Sequence, residues 1–541
     1  MRLQVTIGIF VALGVVTLLS GVAVGTTVRV DVSGGGDFET LAEGIAAASS
    51  GDTVLVAGGL YQGPLNRDLD FNGRNIILRS ESGSVATIID CEHQSRAFTF
   101  NSNESYLAVV EGFTITNGYA AHDTLNPVNA YGGAVHCYAT NPTFRDVAFV
   151  GNTADGDGGA LNCKFSSSTM SLSDCSFTSN TAGHGGAINS DGTRILLWDC
   201  SFTGNLATSW GGAILLDDDS SGMTRCVFTD NEGSMGGAVH FRSDHQHSLT
   251  DCSFIRNTAV HHGGAVTSYY GRPSFNRCSF VGNDAAYFGS AVGVTANPAA
   301  FEDCSFFRNV VRDTLGAVVA TSRASTFENC TFAFNDTPYG GAVVASGESH
   351  PIITECIIAH TSQGVGVQCA DSSEPTISYS CIYGNALGDS LCGVYHDNVF
   401  VDPAFCDTTG GLLSLEECSP CWDSGQGGGV IGSPHPVGCP CGNPTDVSGG
   451  NPPQYSLHAV ALNPAKGRLA VMYEVPRGCS TANLWIYDVG GRLVDRVSQP
   501  VGRGSVDTIV WESEGQRSSG VYFYRLDACE HVARGRAVIV R

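Results

Sequence analysis

Through the middle of the chain, apolar residues come in short runs with a period of two. In Cys200-Ser201-Phe202 they sit at i and i+2, and the aliphatic residue of each Gly-Gly-Ala-aliphatic segment alternates with polar neighbours. A period of two is that of a strand, whose successive side chains face opposite sides. Gly, Asn, Asp and Thr separate the runs as turn formers, and no repeat holds a helical period over ten residues. The stretch Phe38 to Ala48 differs, because Leu41, Ile45 and Ala48 share a helical face. The strand Thr53-Val54-Leu55-Val56 follows it. Near the end, alternating strands are expected at 469–475, 484–489, 508–511, 521–526 and 537–540, divided by turns at Pro476-Arg477-Gly478 and Gly490-Gly491. This is a small β-sandwich pattern.

The middle runs repeat. Cys175, Cys200, Cys226, Cys252, Cys278, Cys304, Cys330, Cys356 and Cys381 follow one another at 25 or 26 residues. Five residues after the first seven come Asn180, Asn205, Asn231, Asn257, Asn283, Asn309 and Asn335, and a Gly-Gly-Ala segment follows. Such self-similarity marks a stacked solenoid. Each unit supplies three short strands and three turns and returns one strand spacing away, ~4.8 Å. The expected fold is all-β, a right-handed parallel β-helix followed by the small sandwich. The asparagines should stack into a ladder that hydrogen-bonds along the axis. The cysteines should form one interior column, packed as thiols with at most occasional bridges, because neighbouring Cβ vectors run parallel rather than converging.

Composition adds compartment and charge. An apolar run over 5–19, then Ala23 and Gly25 at the −3 and −1 positions of a cut, reads as an export signal. The mature chain is expected to have no membrane span. The net charge is −24 and the only lysines are Lys164 and Lys466, so nucleic acid and anionic membranes are poor partners. Of the 21 cysteines, Cys418, Cys421, Cys439 and Cys441 are the better disulfide candidates in an exported chain.

Several segments resemble known families. The helix at 38–48, Gly51-Asp52-Thr53-Val54 and Gly59-Leu60-Tyr61 resemble the opening of pectin-lyase-like β-helix proteins. The Cys-Ser-Phe, Asn-x-Ala and Gly-Gly-Ala coils resemble those of polymorphic outer-membrane proteins. The end of the helix, Asp402-Pro403-Ala404-Phe405 through Ile431-Gly432, is similar to the closing coil of exported bacterial β-helix proteins. Asn463-Pro464, Ile486-Tyr487-Asp488-Val489-Gly490-Gly491-Arg492-Leu493-Val494 and Ser519-Gly520-Val521-Tyr522-Phe523-Tyr524-Arg525-Leu526 resemble a C-terminal sorting domain of the type IX (Por) secretion kind, or the Ig-like domain of hook-capping proteins. Together with the export signal over 1–25 and a Pro/Gly/Asn-rich linker over 441–455, these likenesses imply a cap over 26–75, a β-helix over 76–440 and an Ig-like sorting domain over 456–541. The sorting domain would engage export machinery. In such a sandwich the turns holding Cys479 and Cys529 fall at one end, which would allow a disulfide between them.

Candidate chemistry lies beside the Gly-Gly-Ala strands. Val135, Leu161, Ile188, Ile214, Val239 and Val266 must face inward. By alternation His136, Asn162, Asn189, Leu215, His240 and Thr267 form a first outward column, and Tyr138, Lys164, Asp191, Asp217, Arg242 and Tyr269 a second. Farther on, Gly293, Val319 and Val344, with Thr295, Thr321 and Ser346, look bland. Asp191 and Asp217 could hold Ca²⁺ against an acidic sugar, with Arg242 or Lys164 as base or anion clamp, an arrangement that the pectate-lyase resemblance implies. Otherwise Lys164, Asp191, Asp217 and Arg242 are a self-neutralising surface ladder of little energetic worth. Asn152-Thr153-Ala154-Asp155 with Gly183-His184-Gly185 echoes polygalacturonase motifs, but the paired aspartates those enzymes use are not matched in place. No cofactor is required. The expected role is cell-surface or secreted adhesion or glycan binding, through His136, Tyr138, Lys164, Asp191, Asp217, His240, Arg242 and Tyr269. A polysaccharide lyase or hydrolase acting on acidic polysaccharide is the alternative.

Overall fold

The computed structural model describes residues 25–122, 130–166, 168–217, 220–312, 316–321, 323–406 and 413–433, and then the strands and short flanks between 458 and 539. Cys439, Cys441, Cys479 and Cys529 lie outside the described residues, and so does the proposed export signal apart from Gly25.

The described residues open with the strand Thr27–Val30 and the helix Leu41–Ala47, whose N-cap Thr40 accepts from the Glu43 backbone N–H and donates to its carboxylate. That reciprocal contact sets the helix start. Leu41 and Ile45 are buried over the first coil. Gly44 permits the fit, since a Cβ there would come within 2.2 Å of Val30 Cγ2.

Parallel strands, beginning with Thr27–Val30 and Thr53–Val56 on either side of this helix, stack into four sheets of 15, 11, 13 and 8 strands. One coil shows the plan: Ile188–Asp191, Arg194–Trp198, Ser201–Thr203 and Leu206–Ala207 each join a different sheet. A coil thus has four strands rather than the three expected. The extra two-residue strand follows the ladder asparagine and buries an alanine, as at Ala154, Ala182 and Ala207.

The interior is a set of like-on-like columns. Phe149, Phe177, Phe202, Phe228, Phe254, Phe280, Phe306 and Phe332 stack at 4.3–4.9 Å between ring centroids, within 10° of parallel. Strand spacing imposes this distance, and aromatic rings in offset stacks profit from it. The nine repeat cysteines of the column, Cys175 to Cys381, are buried free thiols. Burial pushes the thiols of Cys200 and Cys226 well up, so they stay protonated. The asparagine ladder is continuous. Asn231 Oδ1 accepts from both the backbone N–H and the Nδ2 of Asn205, and Asn231 Nδ2 donates to Asn257 Oδ1 and to the Phe202 carbonyl. The same set recurs from Asn152 to Asn309.

At the far end the chain does not simply close the last coil. Phe405, Leu413, Leu415, Cys421 and Ile431 pack on Ile255, Val281, Phe307, Ala333 and Ala359, the outer side chains of the cysteine–phenylalanine sheet. This strap runs back along the stack: Ser433 N–H donates to Thr331 Oγ1 at 3.0 Å and Gly432 N–H to the Glu355 carbonyl at 2.7 Å. The disulfides depart from expectation. Cys418 is bonded, as is Cys406, but Cys421 is a buried thiol against Cys381. Cys369–Cys392 is a disulfide that the repeat pattern does not reveal.

The terminal region forms an antiparallel sheet of three strands and another of four. Leu484, Ile486, Ile509, Trp511 and Leu526 are buried in alternation with more exposed neighbours. Two further strands, His458–Leu462 and Leu493–Pro500, join those expected.

Candidate functional site

The Gly-Gly-Ala strands form the 11-stranded sheet. Val135, Leu161, Ile188, Ile214, Val239 and Val266 are paired in register and fully buried. The next column is in register too, but it is not exposed. His136, Asn162, Asn189, Leu215, His240 and Thr267 keep at most 4% of their surface, which corrects the expectation that His136 and His240 reach a ligand. The reason lies one step upstream. The first glycine of each pair takes a left-handed conformation, φ +65° at Gly211, and a Cβ there would strike the Ile214 carbonyl at 2.1 Å. This turn folds the residue before it over the column. Trp210 stacks on His240 at 5.5 Å and 21°, and Tyr131 lies 6.5 Å from His136. Burial lowers the pKa of His136 to about 4 and of His240 to about 3, with Arg96 and Lys164 adding to the first and Arg242 and His184 to the second.

The second column does face outward, and the overlying residues turn it into a groove. Lys164 Nζ stands 3.8 Å from Asp191 Oδ2, 4.0 Å from Asp157 Oδ2 and 3.9 Å from the Tyr131 ring centre. Arg242 Nε lies 3.1 Å from Asp217 Oδ2, and its guanidinium sits 5.4 Å over the Trp210 ring. His184 Nδ1 meets Asp157 Oδ1 at 2.9 Å. Tyr138 and Tyr269 flank the row, both exposed. Tyr131, Asp155, Asp157, His184, Asp191, Asp217 and Arg242 enclose about 400 Å³. Asp157, His184, Trp210 and Tyr131 are functional candidates that alternation misses. Their signal is the variable slot before Gly-Gly, which carries large polar and aromatic residues only on these coils and the few after them.

The groove is acid-rich: Asp155, Asp157, Asp191 and Asp217 against Lys164, Arg242 and His184. Asp191 and Asp217 each face a cation. Among the described residues no group of three or more His, Cys, Asp or Glu side chains could hold a metal ion, so no step is assigned to Ca²⁺.

The coils beyond need a second correction. Val319 pairs with Val292 and points inward, and Ala320 is the residue beside Gly293. Thr321 pairs with Val294 and is buried. A single Gly316 precedes Ala317 here, and Ala317 takes the place of the second glycine, so counting from the glycine slips by one.

Residues 159–332 and 299–409 match the family described as right handed beta helix region. Residues 146–164 match the repeat of Chlamydia polymorphic membrane proteins. Both matches cover the parallel stack and agree with its geometry, the stretch to 409 running past the last stacked strand, Val394–His396. No curated protein matches the chain. Among the described residues, no helix is long and apolar enough to cross a membrane.

Proposed function

We propose that this chain is an exported or surface-displayed β-helix protein that binds a neutral glycan along the groove of the 11-stranded sheet. The observation that carries the reading is the interleaving of aromatic faces with paired carboxylates and cations on neighbouring coils: Tyr131 beside Lys164 and Asp191, then Trp210 beside Arg242 and Asp217. Sugar C–H faces stack on such rings, and vicinal hydroxyls bridge such ion pairs. The excess of carboxylates, in a chain of net charge −24, works against an acidic polymer. The likeness to polymorphic membrane protein repeats and the apolar leader support a place outside the cytoplasm. The terminal antiparallel sheets are then the two halves of an Ig-like sorting domain, with Cys479–Cys529 as its disulfide.

The test is a glycan-array titration of the full chain. Trp210→Ala and Arg242→Ala should each weaken binding about tenfold, the loss of one contact worth about 1.4 kcal/mol. Tyr395→Ala, exposed on a different sheet, should leave it unchanged. Equal behaviour of all three variants, or tighter binding of uronate polymers than of neutral ones, defeats the proposal. The His184–Asp157 contact favours one further reading, cleavage, since a carboxylate-oriented imidazole is a general base in waiting. Release of sugar ends from a bound glycan, lost in Asp157→Asn while binding persists, would establish it.

A further inference from the structure

A second depression follows the first along the same sheet and has different chemistry. It encloses about 490 Å³ and reaches from Met235 and His262 to Gln368 and Asp371. Counted in coils this is five strand spacings, roughly 24 Å at ~4.8 Å each. Its floor is small because the buried column changes from His240 and Thr267 to Gly293 and Ala320. Phe288 and Tyr269, both exposed, stand on opposite rims.

The lining offers carbon rather than hydrogen bonds. Thr267, Thr295 and Thr321 each spend their hydroxyl proton on a backbone carbonyl, of His262, Tyr269 and Arg323, at 2.8 Å. His262 Nδ1 faces the Phe288 backbone N–H at 3.4 Å, and its ring stacks on the Phe288 ring. A saccharide would lose its hydration here without finding partners. The polar exception is at one end. Gln368 Oε1 is buried with no hydrogen-bond partner, and Asp371 lines the same trough, its Oδ2 accepting from the Gly347 backbone N–H at 3.4 Å. An orphaned acceptor and a carboxylate call for a donor and repel an anion.

We infer that this trough binds a neutral, single-chain amphiphile, with the acyl or alkyl chain along Gly293 and Ala320 and a hydroxyl head donating to Gln368 Oε1. Mostly apolar clefts of this volume with one or two placed polar groups are the usual form of small-molecule sites. The site adjoins the glycan groove, which is acid-lined and centred on earlier coils, with Tyr269 bordering both.

The experiment titrates the full chain with 1-lauroylglycerol and with sodium laurate by calorimetry, both kept below micelle formation. The monoglyceride should bind, and laurate at least about tenfold more weakly. Gly293→Val fills the floor. Its Cβ would meet nothing closer than 3.5 Å and Val344 already occupies the same column, so the variant should fold and lose the monoglyceride. Gln368→Leu should abolish the preference over laurate while keeping the chain site. The inference is overturned if the monoglyceride does not bind, if laurate binds equally well, if Gly293→Val binds unchanged, or if Gly293→Val instead abolishes binding of a neutral oligosaccharide.

Discussion

Three buried histidines should make the stack sensitive to acid. His136, His240 and His247 are held neutral, with pKa values near 4, 3 and 3, chiefly because burial penalises the imidazolium. In the unfolded chain each returns to about 6.5. The unfolded state therefore binds more protons between these values, and stability falls as pH drops below about 6.5. Each pKa unit is worth about 1.36 kcal/mol, so at pH 5 each histidine costs about 2 kcal/mol relative to neutral pH, and the three together about 6. The loss continues until pH passes below the folded values. The perturbation is taken from the fold itself: His240→Leu copies its column neighbour Leu215, and His136→Asn copies Asn162. Guanidinium unfolding followed by circular dichroism at pH 7.5 and pH 5 measures the effect. Each variant should lose about 2 kcal/mol less than the parent between the two pH values. If His240→Leu shows the parent's full loss, or if the His240 ring titrates near 6.5 by NMR in the folded chain, the burial argument fails.

Other outcomes follow from the columns. Asn257→Ala leaves both donors of Asn231 and the Phe228 carbonyl without Asn257. At about 1–3 kcal/mol for each buried orphan, it should destabilise by 3 kcal/mol or more in the same unfolding assay. Native protein treated with a maleimide should leave the column cysteines, from Cys175 to Cys381, unlabelled by peptide mapping, because the thiols are buried away from the reagent. Gly264→Ala should disrupt expression or folding, since a Cβ there would come within 2.1 Å of the Ser290 carbonyl. Two freely alkylated thiols at Cys479 and Cys529 would end the proposed terminal disulfide, which in the chain-entropy model is worth about 4 kcal/mol.

The parts of this fold legible in the sequence are those that depend on period alone. The inward residues of the strands, the cysteine column and the asparagine ladder recur at fixed spacing, and the stack places each where alternation puts it. The site was half legible. Lys164, Asp191, Asp217 and Arg242 face outward together as alternation implies, but alternation describes an isolated sheet face and does not know what folds over it. His136 and His240 are covered because of a left-handed glycine, a backbone conformation with no apolar signature. Tyr131, His184 and Trp210 recur once per coil just before Gly-Gly, but the residue type in that slot changes from coil to coil, so no apolar or polar column marked them as walls. The strand Leu493–Pro500 sets Leu493, Val494 and Val497 out of a period of two and buries none of its residues, and so lacked the pattern used to find the others.

Each ladder asparagine touches three coils at once: the preceding coil through a phenylalanine carbonyl, its own, and the next through a neighbouring amide. Its bonding is complete only when coils stand on both sides. Removing half a coil would leave two such amides facing the wrong partners, whereas removing a whole one rejoins identical hardware. The ladder thus makes the coil the unit of inheritance. A gene for this chain can lengthen or shorten by 26 codons without redesigning the interior, and the strap that carries Phe405, Leu415, Cys421 and Ile431 sets the cost of doing so near the far end, because it is fitted to particular coils along the outside.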